Sequence, residues 1–168
     1  MRYLVVSDNH GDRKILQELL DRYKQEVDFF FHCGDSELAD DDSLWQTYYG
    51  VQGNCDFGTD FKTKRLIDTG EDQVYMTHGH LSNVRFGLTQ LALEAEEQQA
   101  TIALFGHTHQ LGCEFHQGIL FLNPGSISQP RGPIMIPAYA LIDRISEGLH
   151  VQYYNRRHQP MDKLAFDF

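Results

Sequence analysis

The chain has 168 residues, 41% hydrophobic and 23% charged, with a formal net charge of −10 at pH 7. That profile suits one soluble domain with a real core, spanning residues 1–168. The surplus of 24 acids over 14 bases argues against nucleic acid as a partner, because phosphate backbones are held by clustered Lys and Arg.

A membrane partner is not expected either, since no apolar run approaches the roughly 18 residues of a span. The N-terminal apolar run stops at Asp8, too soon for a signal peptide. Cys33, Cys55 and Cys113 are odd in number and lack C-x-x-C spacing, so neither a disulfide framework nor a zinc knuckle is expected. The expected compartment is the cytoplasm.

Residues 3–7 form a short apolar, β-branched run, a buried strand that ends in Asp8-Asn9-His10-Gly11. Ile15, Leu16, Leu19, Leu20 and Tyr23 then recur at helical spacing, with Asp12 placed to cap. Residues 27–32 are the second strand, ending in Cys33-Gly34-Asp35. Residues 40–43 are acidic and loop-like. Residues 48–51 are a third strand, ending in Gly53-Asn54-Cys55-Asp56.

Residues 64–67 and 73–76 read as a hairpin around Thr69-Gly70-Glu71-Asp72, and its second arm ends in Thr77-His78-Gly79-His80. Leu88, Leu91, Ala92 and Ala95 mark a second helix, with Glu94, Glu96 and Glu97 on its wet side. Residues 101–105 are a strand that breaks into Gly106-His107-Thr108-His109. From there strands follow at 112–116, 118–122, 138–143 and 150–154, around a Gly- and Pro-rich loop at 123–137. Apolar residues at 133–137 hint at an interface and hence a homo-oligomer. Strand–helix alternation followed by strands predicts an α/β layered fold with two facing sheets and helices outside.

Five separate strands thus end in Gly plus Asp, His or Asn, and ligand sites in α/β sheets gather at such strand ends. Asp8, His10, Asp35, Asn54, His78, His107 and His109 together offer carboxylate, imidazole and amide donors. That set suits Mn, Fe, Zn, Co or Ni better than Mg or Ca. Seven donors exceed one tetrahedral site. They suffice for two ions sharing a carboxylate, which at about 4 Å apart can clamp a phosphoryl group. Plainer readings exist: Asp8 as a helix cap, Asp35 as a turn former, and Gly53-Asn54 as ordinary turn chemistry.

The order D-x-H, G-D, G-N-x-[DE], H-G-H, G-H-x-H resembles the signature of the calcineurin-like metallophosphoesterase superfamily. The G-N-C-D form and Asn123-Pro124-Gly125-Ser126 resemble its small stand-alone prokaryotic phosphodiesterase branch. The resemblance covers about residues 3–155 and implies a two-sheet β-sandwich flanked by helices. It implies two divalent metal ions, manganese first, with Ni, Fe, Co or Zn as alternatives. Asp8, His10 and His109 would bind one ion, and Asn54, His78 and His107 the other, with Asp35 bridging. The implied reaction is hydrolysis of a small phosphodiester by a metal-bridging hydroxide, and it places Asp35, Asn54 and His78 in the catalytic set. Gly106-His107-Thr108-His109 then reads as a divider, its extended backbone sending His107 to one metal and His109 to the other.

Asn9, Cys55 and His80 are the candidate substrate contacts, and Asp56 would orient a ligand or backbone. Cys55 departs from the superfamily, where many relatives carry His. A thiol is a poor general acid for an alkoxide, which points to substrates with good leaving groups. His32, His116, His150 and His158 read as structural or surface. The competing function is a non-catalytic protein-binding scaffold of the same fold, like the retromer scaffold subunit. The complete ligand set favours the enzyme.

Overall fold

The apolar runs pair as strands in two sheets, and the computed structural model describes residues 1–168 throughout. β1 (Arg2–Val6) pairs in parallel with β2 (Phe29–His32), and β2 with β3 (Tyr48–Gly50). On the other side of β1 lie β9 (Ala138–Ile145), β10 (Gly148–Asn155) and β11 (Pro160–Asp167), all antiparallel to their neighbours. They complete a sheet of six strands. The second sheet has a parallel centre of β5 (Gln73–Thr77), β6 (Ile102–Leu104) and β8 (Ile119–Pro124). Its antiparallel edges are β4 (Lys64–Asp68) and β7 (Leu111–His116).

Successive side chains on a strand face opposite ways, and that sorts the core. Tyr3 and Val5 enter the space between the sheets with Met76, Leu104, Leu122 and Ile142. Leu4 and Val6 turn outward onto α1 (Arg13–Tyr23), meeting Ile15, Leu16 and Leu19. Burying each such side chain contributes about 1.5–3 kcal/mol. Leu91 and Ala95 of α2 (Thr89–Glu97) cover the second sheet at Tyr75, Ala103 and Phe121. The layers run helix, sheet, sheet, helix, which is the expected sandwich. Asp12 caps α1 by accepting from the Ile15 N–H at 3.3 Å. No helix is long and apolar enough to cross a membrane.

Three local features differ from expectation. Ser43, expected in the loop of residues 40–43, instead opens a short 3-10 turn over Ser43–Gln46, where Asp42 accepts from the Leu44 N–H at 2.9 Å. Glu94 does not lie on a wet face: it accepts from Tyr75 Oη at 2.9 Å, Ser82 Oγ at 2.8 Å and Lys64 Nζ at 3.0 Å. β11 was not anticipated. It starts at a proline and is mostly exposed, and a register irregularity opposite Gln152 and Tyr154 interrupts its alternation.

Candidate metal centre

The strand ends converge as the sequence suggests, through backbone geometry first. The Asp8 N–H donates to Gly34 O at 3.1 Å, the His10 N–H to Asp35 O at 3.2 Å, and the Gly106 N–H to His78 O at 3.0 Å. The loops after β1 and β2 are therefore stitched together, as are those after β5 and β6, and His78 Nδ1 on Cys33 O joins the two pairs. Asp8, His10, Asp35, His107 and His109 all have left-handed φ, between 46° and 67°. Short polar residues tolerate this region better than others, at a cost of about 1–2 kcal/mol each. Gly106 has no alternative here, since a Cβ would strike Ser7 Oγ and sit 2.8 Å from Asp8 Oδ2. A Cβ on Gly53 would collide with the Asp35 carboxylate.

The side-chain chemistry turns on three histidines. His78 Nδ1 lies 2.6 Å from Cys33 O, His109 Nδ1 2.7 Å from Gln129 O, and His10 Nδ1 2.6 Å from Glu37 Oε1. These oxygens only accept, so each Nδ1 carries a proton, and in the neutral imidazole each Nε2 presents a lone pair. All three Nε2 atoms face inward. His109 Nε2 is 3.1 Å from Asp8 Oδ1 and 3.3 Å from His10 Nε2. His78 Nε2 is 3.4 Å from Asp35 Oδ2 and 4.0 Å from Asp8 Oδ1. Asp8 Oδ1 and His78 Nε2 are buried with no hydrogen-bond partner. Ligand atoms of Asp8, His10, Asp35 and His109 all lie within 4.8 Å of one another.

Acceptors facing acceptors at these distances repel unless a cation or a proton lies among them. Oxygen and imidazole donors suit a first-row divalent ion, so these residues fit one. The local electrostatics carry the same strain. Burial opposes protonation of His78, but the Asp35 carboxylate 3.4 Å from its Nε2 and the charge of Asp8 raise its pKa. Burial opposes ionisation of Asp35, yet His78 and the Cys55 N–H, at 2.8 Å, hold it well below the usual carboxylate range.

Comparison with known proteins gives the family. The family model for the calcineurin-like phosphoesterase superfamily domain matches residues 1–146. The chain belongs to that superfamily. A curated relative, the probable metallophosphoesterase YsnB of Bacillus subtilis, is 37% identical over 98% of this chain and 96% of its own. The crystal structure of a predicted phosphoesterase from Streptococcus pneumoniae superposes with a TM-score of 0.96 at 40% identity, covering 99% of this chain and 96% of that one. Vps29 from Entamoeba histolytica, complexed with Zn, shares the fold with a TM-score of 0.73 at 23% identity over 92% of each chain.

Within this superfamily member the remaining site residues fall as follows. His107 lies beside His78, ring centroids 5.2 Å apart, but its Nε2 accepts from Arg85 Nε at 3.0 Å. Burial, then the charge on His78, pushes its pKa down to about 4. An extended backbone would place residues two apart on the same face. The expected extended divider is therefore corrected: left-handed turns at both histidines send His109 to Asp8 and His107 to His78. Asn54 is exposed, with Nδ2 donating to Cys55 Sγ at 3.3 Å. His80 has a buried Nδ1 with no partner, and its ring lies 5.4 Å from that of His78. Burial, then the charge of Asp35, raises the Cys55 thiol to about 11.

Asn9 departs from expectation. It is fully buried, with Oδ1 bonded to His32 Nε2 at 2.8 Å and Nδ2 donating to Asp12 O at 3.2 Å. Its burial keeps the amide from reaching a substrate. His32 is kept neutral by burial, with its pKa down to about 4. Asp56 orients backbone as expected: its carboxylate accepts from the N–H groups of Asp35 at 2.8 Å, Gly53 at 2.7 Å and Glu37 at 2.7 Å.

Sequence reasoning missed Glu37, Gln129 and Arg85, which touch the site histidines. Glu37 and Arg85 lie in loops with no motif of their own. Gln129 acts through its carbonyl, which no side-chain pattern reveals.

Proposed function

We propose that this superfamily member is a divalent-metal-dependent phosphodiesterase that hydrolyses small phosphodiesters at a centre for two ions. The observation that supports it best is the set of three Nδ1-anchored histidines whose Nε2 atoms gather with Asp8 and Asp35, where Asp8 Oδ1 and His78 Nε2 are buried without a hydrogen-bond partner. Asp8, His10 and His109 would hold one ion, and Asn54, His78 and His107 the other, with Asp35 between. Manganese is the first candidate, with Ni, Fe, Co or Zn as alternatives. Bound ions would polarise the phosphoryl group and activate water for attack at neutral pH. Ligation through His107 Nε2 requires Arg85 to move off it, and Arg85 is exposed and free to do so.

The chain's own residues shape the rest. Anchored Nδ1 atoms fix the tautomer and ring orientation of the ligating histidines, which commonly governs metal affinity by 10–100-fold, an order-of-magnitude figure. Cys55 keeps its proton and lies beside Asp35, so it offers a leaving group only a weak donor. His80, whose ring lies 5.4 Å from that of His78, is the other candidate substrate contact.

Hydrolysis of bis(p-nitrophenyl) phosphate by the metal-stripped protein, with Mn, Ni, Co or Zn restored one at a time, tests the proposal. Metal-dependent turnover that falls by about 10²-fold or more in Asp35→Asn is expected. No turnover with any metal would favour the protein-binding scaffold, a function compatible with the fold shared with Vps29.

A further inference from the structure

A second group of residues, apart from the ligand set, opens beside the centre. Val84, Arg85, Thr108, Gln110 and Arg131 line a cavity of about 350 Å³. Thr108 sits between the two site histidines, so the cavity and the metal centre share a wall. Neither Arg85 nor Arg131 is paired with a carboxylate, whereas Arg13, Lys64, Arg144 and Arg156 each are. Two uncompensated guanidinium groups thus face one cavity in a protein of net charge −10.

The cavity is built rather than incidental. Thr108 Oγ1 is fixed by Asn123 Nδ2 at 3.0 Å and the Gln110 N–H at 3.2 Å. Arg131 is tied by its N–H to His109 O at 3.0 Å. At Gly132, where φ is 82°, a Cβ would lie 2.8 Å from the Gln110 side chain, so the segment carrying Arg131 packs closely on Gln110. Arg85 spends only Nε on His107, leaving its two terminal nitrogens without a protein partner. Guanidinium forks of this kind match the geometry of phosphate oxygens.

We infer that this cavity is an anion subsite that takes a second phosphoryl group of the substrate, next to the ester being cleaved. The inference rests on the phosphodiesterase reading for the first phosphoryl group. It narrows the substrate class to small diesters that carry a further phosphate, such as nucleotide esters phosphorylated at a second hydroxyl. Arg131 would grip the second group, joined by Arg85 once it leaves His107, with Thr108 Oγ1 and the Gln110 amide at hand as further polar contacts.

The test compares the 5′-(p-nitrophenyl phosphate) of thymidine with and without a 3′-phosphate. The wild type should show the higher kcat/KM on the 3′-phosphorylated ester, and Arg131→Gln should lower that preference about tenfold, the scale of one charge-assisted contact. Titration calorimetry of the protein as purified with thymidine 3′,5′-bisphosphate supplies a readout that needs no turnover. Binding should weaken about tenfold in Arg131→Gln and further in the Arg85→Gln, Arg131→Gln double variant. If neither ester is hydrolysed but binding still depends on Arg131, the phosphodiesterase reading fails and the anion subsite stands. Equal binding in the wild type and the double variant would overturn the subsite, as would a wild type that prefers the ester lacking the 3′-phosphate.

Discussion

At the scale of single residues, the centre is set by what each histidine does with the nitrogen it does not present. His10, His78 and His109 each anchor Nδ1 on an oxygen, and only then does the placing of Nε2 become definite. The candidate donors were legible in the sequence, because Asp8, His10, Asp35, His78, His107 and His109 each follow a strand. Their anchors were not, because two of the three are backbone carbonyls. Asn9 shows the converse: a polar residue inside a motif, yet buried and bonded to His32 and Asp12. Cys55 carries a prediction at this scale. Its thiol, raised to about 11 beside Asp35, cannot assist an alkoxide well. Cys55→His should raise turnover of an alkyl diester relative to an aryl one, by up to about 10²-fold. Steady-state rates on the two esters decide it, and an unchanged ratio would remove the leaving-group explanation.

Among the elements, the strands supply positions and the loops after them supply direction. The parallel arms β1, β2 and β3 in one sheet, and β5 and β6 in the other, deliver their ends to one edge. This was readable from apolar runs breaking at glycine. Left-handed φ at Asp8, Asp35, His107 and His109 was not, because glycine is the usual mark of that region and these are not glycines. Asp56 holds the loop after β3 against the loop after β2 through Asp35, Gly53 and Glu37. Asp56→Asn keeps the shape but removes the charge that three N–H groups bond. It should cost about 2–3 kcal/mol of stability, the scale of hydrogen bonds to a buried charge. It should also weaken metal binding about 10–100-fold. Urea unfolding and metal titration of the variant measure the two effects, and unchanged metal affinity would mean that Asp35 is placed by other contacts.

Across the whole molecule, one buried carboxylate ties the two sheets together. Asp72, in the turn between β4 and β5, accepts from Tyr3 Oη of β1 at 2.8 Å and Thr101 Oγ1 at 2.9 Å, and pairs with Arg144 of β9. Burial opposes its ionisation, but Arg144, Tyr3 and Thr101 outweigh this and lower its pKa. A carboxylate depressed in the folded state stabilises the fold above its unfolded pKa of about 3.9 and loses that contribution as pH falls through the folded value. Wild type should therefore exceed Asp72→Asn in stability by about 2 kcal/mol at pH 7, with the gap closing below about pH 4. Thermal unfolding across that range reads it, and a gap independent of pH would mean that charge is not what Asp72 contributes. Sequence pattern placed this turn but not its inter-sheet role, since its partners lie far along the chain.

The same convergence of distant loops makes the metal centre a property of the whole fold, and counting ions reaches it most directly. Metal content of the stripped and manganese-reloaded protein should be two ions per chain, falling by one in His107→Ala and by one in His109→Ala, as a two-ion centre requires. A reloaded wild type that retains no divalent ion would contradict the reading of Asp8, His10, Asp35, His78 and His109 as a metal centre.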